Sequence, residues 1–200
     1  MSFPTHRLAA LSLVAAGLLA GTAAQAEQIV TTVTMSGPAE NPPVDSPGTG
    51  FGTITLDTDA NRLSFDLSFT GLRGTTMMAH IHCCVAPPGV IGVATTLPSL
   101  PGFPLGVTFG SYIASLDTND PSTWNPDFVL ANGGLEGAEA RLADGMRAGQ
   151  AYFNIHTSAF PAGEIRGFTV PVAVPEPASF ALFGLGLAGL MAARRRPATA

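Results

Sequence analysis

The chain contains no lysine. Its nine basic residues are all arginine and face fourteen acids, for a formal net charge of −5 over 200 residues of which only 12% are charged. That balance removes the basic footprint of a nucleic-acid binder. Also missing are a Gly-x-Ser-x-Gly elbow and a phosphate-cradling glycine loop with its lysine, so the serine-hydrolase and P-loop signatures are absent. Glu40 and Asp45 lie in a loop whose spacing fits no EF-hand, and they read as solvated loop charges. What the chain has in quantity is apolar sequence, 46% of its residues with a mean hydropathy of +0.32. This is too apolar for intrinsic disorder and high for a soluble domain, so the location of the excess matters.

Much of it lies at the two ends. Residues 1–26 carry His6 and Arg7, an apolar run from Leu8 to Ala20 and the small-x-small triplet Ala24-Gln25-Ala26. This order predicts a signal peptide cut by signal peptidase after Ala26. An uncleaved anchor helix is the alternative, and the run is short of the ~20 apolar residues a bilayer needs. At the other end Val174-Pro175-Glu176-Pro177 precedes an uncharged stretch from Ala178 to Ala193 and then Arg194-Arg195-Arg196. At 1.5 Å per residue the stretch spans about 24 Å, a marginal membrane segment with its arginines on the cytoplasmic side. A buried hairpin helix would have to accommodate three adjacent arginines. Pro-Glu-Pro, a short Gly/Leu/Ala-rich helix and an arginine cluster resemble the PEP-CTERM sorting signal. The resemblance implies export across the inner membrane of a Gram-negative bacterium, transient C-terminal anchoring, processing by an exosortase and a final place at the cell surface or outside it, with extracellular polysaccharide or matrix proteins as partners.

One domain remains, residues 27–174, between the signal peptide (1–26) and the sorting segment (175–200). Net acidic and lysine-free, it would stay soluble and repel anionic surfaces, so a polysaccharide partner should be neutral or cation-bridged. β-type runs broken by Gly, Pro and Asn dominate it. Strands are predicted over 29–35, 50–57, 62–70, 77–84, 107–115, 150–156 and 163–170. In the third, Leu63, Phe65, Leu67 and Phe69 alternate with polar residues, and residues 57–61 form a hairpin turn before it. The four prolines of 37–48 mark an irregular excursion. Residues 121–132 read as a short helical or irregular connector around Trp124. Leu135, Ala138, Leu142 and Met146 are at helical spacing, with Glu136 and Glu139 early and Arg147 late, predicting a helix over 135–148. The fold class expected is all-β, an immunoglobulin-like sandwich or barrel with one helical insertion.

Three tripeptides share one arrangement: His80-Ile81-His82, Asn154-Ile155-His156 and Glu164-Ile165-Arg166. Side chains alternate across a strand, so burying each isoleucine turns its polar neighbours to the other face. If the three strands share a sheet, one face gathers all three histidines of the domain together with an amide, a carboxylate and a guanidinium. His80 and His82, about 6.6–6.8 Å apart along a strand, could bind one ion. Such a set suits copper, zinc or iron, with Glu164 as a further ligand or orienter held by Arg166. Met78 and Cys84, on the same alternation, favour the softer metals. The competing reading is a hydrogen-bonded network of these imidazoles with Asn154, Glu164 and Arg166 that fixes register and needs no metal. Cys83 and Cys84, adjacent in an exported chain, have three fates: a vicinal disulfide, a thiolate ligand, or two buried thiols.

Four motifs in order, Pro38-x-Glu40-x-Pro42-Pro43-Val44, Ala79-His80-Ile81-His82, Asn154-Ile155-His156-Thr157 and Pro161-x-Gly163-Glu164-Ile165-Arg166-Gly167, resemble the CHRD domain, named from chordin. The resemblance implies an immunoglobulin-like β-barrel or sandwich of extracellular proteins without an established enzymatic role. The paired cysteines and the Pro-rich insert after them depart from that pattern. A surface-sorted matrix-binding protein with a metal-binding candidate site is therefore expected; a copper-type redox protein and a purely structural or adhesive module are the alternatives.

Overall fold

A computed structural model describes residues 28–173 and Gly186. The signal peptide with Ala24 and Ala26 lies outside the described residues, as do Pro175, Glu176, Pro177 and Arg194 to Arg196 of the sorting segment. Seven strands, β1 (Gln28–Ser36), β2 (Thr49–Asp57), β3 (Arg62–Thr70), β4 (Thr76–Cys83), β5 (Gly110–Asp117), β6 (Ala151–Thr157) and β7 (Ile165–Pro171), form one antiparallel sheet in the order β4-β6-β7-β1-β2-β3-β5. The sheet curls until Phe65 of β3 meets Phe153 of β6, ring centroids 6.2 Å apart, with Phe103 and Tyr112 filling the same interior. The all-β class is thus realised as a single curled, barrel-like sheet.

Alternation explains the core. Leu63, Phe65, Leu67 and Phe69 are buried while Arg62, Asp66 and Ser68 face solvent, which is the period-2 pattern of a sheet with one wet face. The β2–β3 turn is closed by Asp57, whose side chain accepts from the Ala60 amide at 2.8 Å, with Asn61 in the left-handed region at φ 51°. Asparagine tolerates this conformation well.

β5 begins later than its sequence suggests. The Val107 and Thr108 carbonyls accept from the amides of Thr76 and Leu72 instead of extending the β3 ladder. This segment therefore ties the far edge of the sheet to the start of β4. The other side of β4 is covered by the proline-rich stretch that follows it, through Ala94 N–H to Ile81 O and Leu100 N–H to Ala79 O. A covered edge cannot template pairing with another chain.

The helical insertion holds two α-helices, α1 (Pro126–Ala131) and α2 (Leu135–Arg147), after a short 3-10 turn at Pro121–Thr123. Trp124 is buried beside them and donates its indole N–H to Thr118 O at 2.8 Å. Of the positions its spacing marks, α2 buries Ala138, Leu142 and Met146 and leaves Leu135 half-buried, and it also buries Glu139, Ala143 and Gly145. Among the described residues no helix is long and apolar enough to cross a membrane.

Candidate metal centre

β4, β6 and β7 are direct neighbours, and their register sets out the site as a grid. His80 faces Asn154, which faces Arg166; His82 faces Tyr152, which faces Phe168; Met78 faces His156. Ile81, Ile155 and Ile165 are fully buried in the core. The flanking polar side chains are thereby turned to the opposite face, yet they are buried too: His80 is 2% exposed and His82 and His156 8%. Two straps cover them, one around residues 37–48 and the other residues 85–104.

Each imidazole is fixed by a backbone carbonyl. His80 Nε2 lies 2.6 Å from Pro98 O, His82 Nδ1 2.8 Å from Ile91 O and His156 Nδ1 3.0 Å from Pro161 O. A carbonyl only accepts, so each of these nitrogens carries the proton, and in a neutral ring the other nitrogen holds a free lone pair. Those other nitrogens, His80 Nδ1, His82 Nε2 and His156 Nε2, are buried without any hydrogen-bond partner. One ring nitrogen from each histidine lies within 4.8 Å of the other two. Three nitrogens bound at about 2.0 Å to one ion stand roughly 3.3–3.6 Å apart, so a shift of an ångström or so brings them to ligand spacing.

The electrostatics suit a neutral donor set. Burial holds the pKa of His82 down to about 4, helped by the charges of His80, His156 and Arg166 and opposed by its bond to Ile91 O. His80 and His156 are lowered as well, mainly by burial, against the raising effect of their bonds to Pro98 and Pro161. Unprotonated imidazole at neutral pH is the form a metal requires. A carbonyl on the remote ring N–H is the outer-shell arrangement that orients histidine ligands.

Of the other sequence candidates, Glu164 and Cys84 do not join the histidines, and Met78 lies next to them. Glu164 is fully buried, but its carboxylate accepts from Ser46 Oγ and Thr157 Oγ1 at 2.6 Å each and from the amides of Arg73 and Gly74. Burial works to raise its pKa, and the four hydrogen bonds outweigh it and bring the net shift downward. It therefore neither joins the histidines nor pairs with Arg166. The reason is local: β7 starts at Ile165, after Gly163 at φ 131°, so strand alternation does not govern Glu164. Cys83 and Cys84 form a vicinal disulfide, which removes Cys84 as a thiolate ligand. A methyl built on Gly145 of α2 would overlap both sulfurs, Cys84 Sγ at 2.6 Å and Cys83 Sγ closer still, so glycine is what lets helix and disulfide pack. Met78 is half-buried beside His156.

Arg166, 1% exposed, spends its donors on three carbonyls, Ala39 O at 2.5 Å, Pro88 O at 2.9 Å and Gly89 O at 3.0 Å, which staples both straps to the sheet. Its guanidinium lies over Tyr152 at 4.9 Å, a cation–π contact. Its carboxylate partner is Glu40, Oε2 to Nε 3.7 Å. Glu40 is thus no solvated loop charge but 7% exposed. Burial pushes its pKa up to about 7, against the lowering effects of Arg166 and Asn154. Asp45 does stay in solvent, paired at 3.2 Å with Arg73. Tyr152, stacked on His82 with centroids 4.7 Å apart, also belongs to the site. Strand alternation already placed Tyr152 on the face of Asn154 and His156, whereas its pairing with His82 is set by the register, and the strap carbonyls gave no sequence signal.

The sequence matches the CHRD domain over residues 31–169, more than half of the chain. The chain belongs to the CHRD family. A PEP-CTERM protein-sorting motif follows the CHRD domain at residues 173–196, and such motifs mark proteins exported and sorted to the cell surface in Gram-negative bacteria and processed by an exosortase-type enzyme. No curated protein and no solved structure matches the chain. The three histidines, Glu40 and Arg166 all lie inside the CHRD match.

Proposed function

We propose that this is a surface-sorted CHRD protein that binds one transition-metal ion through His80, His82 and His156 in the extracellular matrix. The observation that carries this reading is the set of three buried imidazoles, each with one nitrogen donated to a carbonyl and the other left with an unpaired lone pair. A network that merely fixed register would use both nitrogens or expose one to water, because an unpartnered buried polar atom costs about 1–3 kcal/mol. The all-imidazole donor set favours copper or zinc. With Glu164 committed elsewhere, iron loses the carboxylate of its usual two-histidine site.

In this reading the leader is cut after Ala26, the folded unit spans residues 27–174, and residues 175–200 hold the chain in the membrane until exosortase removes them. The acidic surface suits a neutral or cation-bridged polysaccharide. Purified protein offered equimolar copper or zinc should bind one ion per chain, and His82→Ala should weaken binding at least about 100-fold, at the upper end of what outer-shell partners cost and as expected for a ligand itself. Failure to bind either ion, or iron, leaves adhesion alone. Copper-loaded protein that turns over neither superoxide nor peroxide would reject the redox alternative.

A further inference from the structure

The sheet has two edges, and the chain treats them differently. β4, at one end, is covered by the proline-rich strap, whose Ala94 and Leu100 amides bond to its carbonyls. β5, at the other end, pairs with β3 alone, in an unbroken register from Arg62↔Asp117 to Phe69↔Gly110. Thr118 continues that ladder by donating its N–H to Asn61 O at 2.9 Å. Backbone groups alternate in direction along a strand, so the even-numbered residues of β5 face β3, and Ser111, Ile113, Ser115 and Asp117 turn theirs outward. The Asp117 carbonyl accepts from the Asp120 amide and the Thr123 hydroxyl. Among the described residues nothing bonds to the N–H and C=O groups of Ser111, Ile113 and Ser115. The edge is open to solvent: Ile113 is 78% exposed, both serines are exposed, and Ala114 and Leu116 on the core side are only half-buried.

Free edges are normally guarded by lysine, an inward charge, proline, a bulge or brevity. β5 has none of these guards: it runs for eight residues without proline or register shift, and its one charge is Asp117 at its end. A chain that covers one edge and leaves the other bare has the pattern of an edge filled in the working protein. A second copy of the same strand fits it. Antiparallel pairing about a two-fold axis at Ile113 sets Ile113 against Ile113 and Ser111 against Ser115, so every free N–H and C=O of the three residues finds a partner and Asp117 stays clear of its own image. Neighbouring registers oppose these residues to Asp117, whose carbonyl is already engaged, or to Phe109, which precedes the strand. The assembly also closes, because joining two β5 edges leaves strap-covered β4 at both outer ends.

We propose that β5 is a self-association edge, through which two copies of this chain pair antiparallel over Ser111 to Ser115 into one continuous sheet with a histidine cluster toward each end. The inference does not depend on metal binding. A seam of one strand is smaller than the roughly 1,200–2,000 Å² of a standard stable interface, so the dimer is reversible.

The purified full chain, kept in mild detergent for its apolar ends, tests this by sedimentation equilibrium. Wild type should show monomer and dimer in exchange. The Ile113 N–H points away from β3, so Ile113→Pro removes no bond within the chain, and Ile113→Lys sets like charges against each other across the two-fold axis. Each variant should raise the dissociation constant at least about tenfold. A wild-type chain that stays monomeric at the highest concentration it tolerates overturns the proposal, as does a dimer that both variants leave intact. If the variants do not fold, cysteine cross-linking decides, Cys83 and Cys84 being bonded to each other. Directly paired residues stand about 5.5 Å apart at Cα, within disulfide reach. Under oxidation Ser111→Cys should therefore cross-link to Ser115→Cys when the two variants are mixed, and neither should cross-link to itself. Self-linking as ready as mixed linking, or no link at all, overturns the pairing.

Discussion

Arg166 and Glu40 show how much a single buried residue can hold. The Arg166 guanidinium joins β7 to two separate straps, and lysine in its place would keep the charge but cannot span three carbonyls. Arg166→Lys should lower stability by about 3 kcal/mol, within the range for breaking a buried hydrogen-bonded charge, read as the shift of a urea unfolding midpoint. Acid stability depends on both signs of pKa shift. The histidines have folded pKa values below the ordinary 6.5, so the unfolded state binds more protons below that pH, and metal-free protein loses stability as pH falls from about 6.5 through the folded values. Glu40 acts oppositely: its folded pKa of about 7 exceeds the ordinary 4.5, so its contribution is present below 4.5 and is lost as pH rises through 7. The Glu40 and His82 shifts are of similar size and roughly cancel between these limits, leaving His80 and His156 to set the direction. Metal-free protein should therefore unfold more readily at pH 5 than at pH 6.5, and Glu40→Gln should steepen that dependence. A flat profile in thermal unfolding would contradict both assignments.

At the scale of elements, the predictable parts were those governed by short-range periodicity. β3 follows from the alternation of Leu63 to Phe69, and α2 from the spacing of Leu135 to Met146. The histidine face follows from alternation around Ile81 and Ile155 once the strands pair. Glu164 escaped this logic because it precedes its strand, after a glycine in a conformation other residues rarely adopt. Glu40 escaped it because its burial depends on a strap folding back onto Arg166, a contact between chain segments far apart in sequence that no local pattern encodes. The packing of α2 on the disulfide makes its own prediction. Gly145→Ala must displace the helix or the sulfurs and should cost about 1–3 kcal/mol, the range for overpacking. Reducing the disulfide in that variant should recover part of the loss, whereas equal stability of the variant and wild type would mean that the helix end yields freely.

At the scale of the whole molecule, a CHRD domain is followed by a sorting motif. The CHRD fold in the middle carries the metal-binding candidate, and the sorting motif after it decides where that site is displayed. Replacing Arg194, Arg195 and Arg196 with alanine should leave the unprocessed, tail-bearing form in the membrane fraction, while intact chain yields a shorter product at the surface. Mass spectrometry of the two fractions distinguishes them, and identical products would show that the arginines are dispensable for processing.

The carbonyls that aim the imidazoles belong to Pro98, Ile91 and Pro161, and the first two ride on the strap that Arg166 fastens. Under the proposed metal-binding function, ion capture would therefore be coupled to closure of that strap. Loading the centre should shield residues 85–104 from proteases, and loosening that flap by any means, even at a residue remote from the imidazoles, should release the ion.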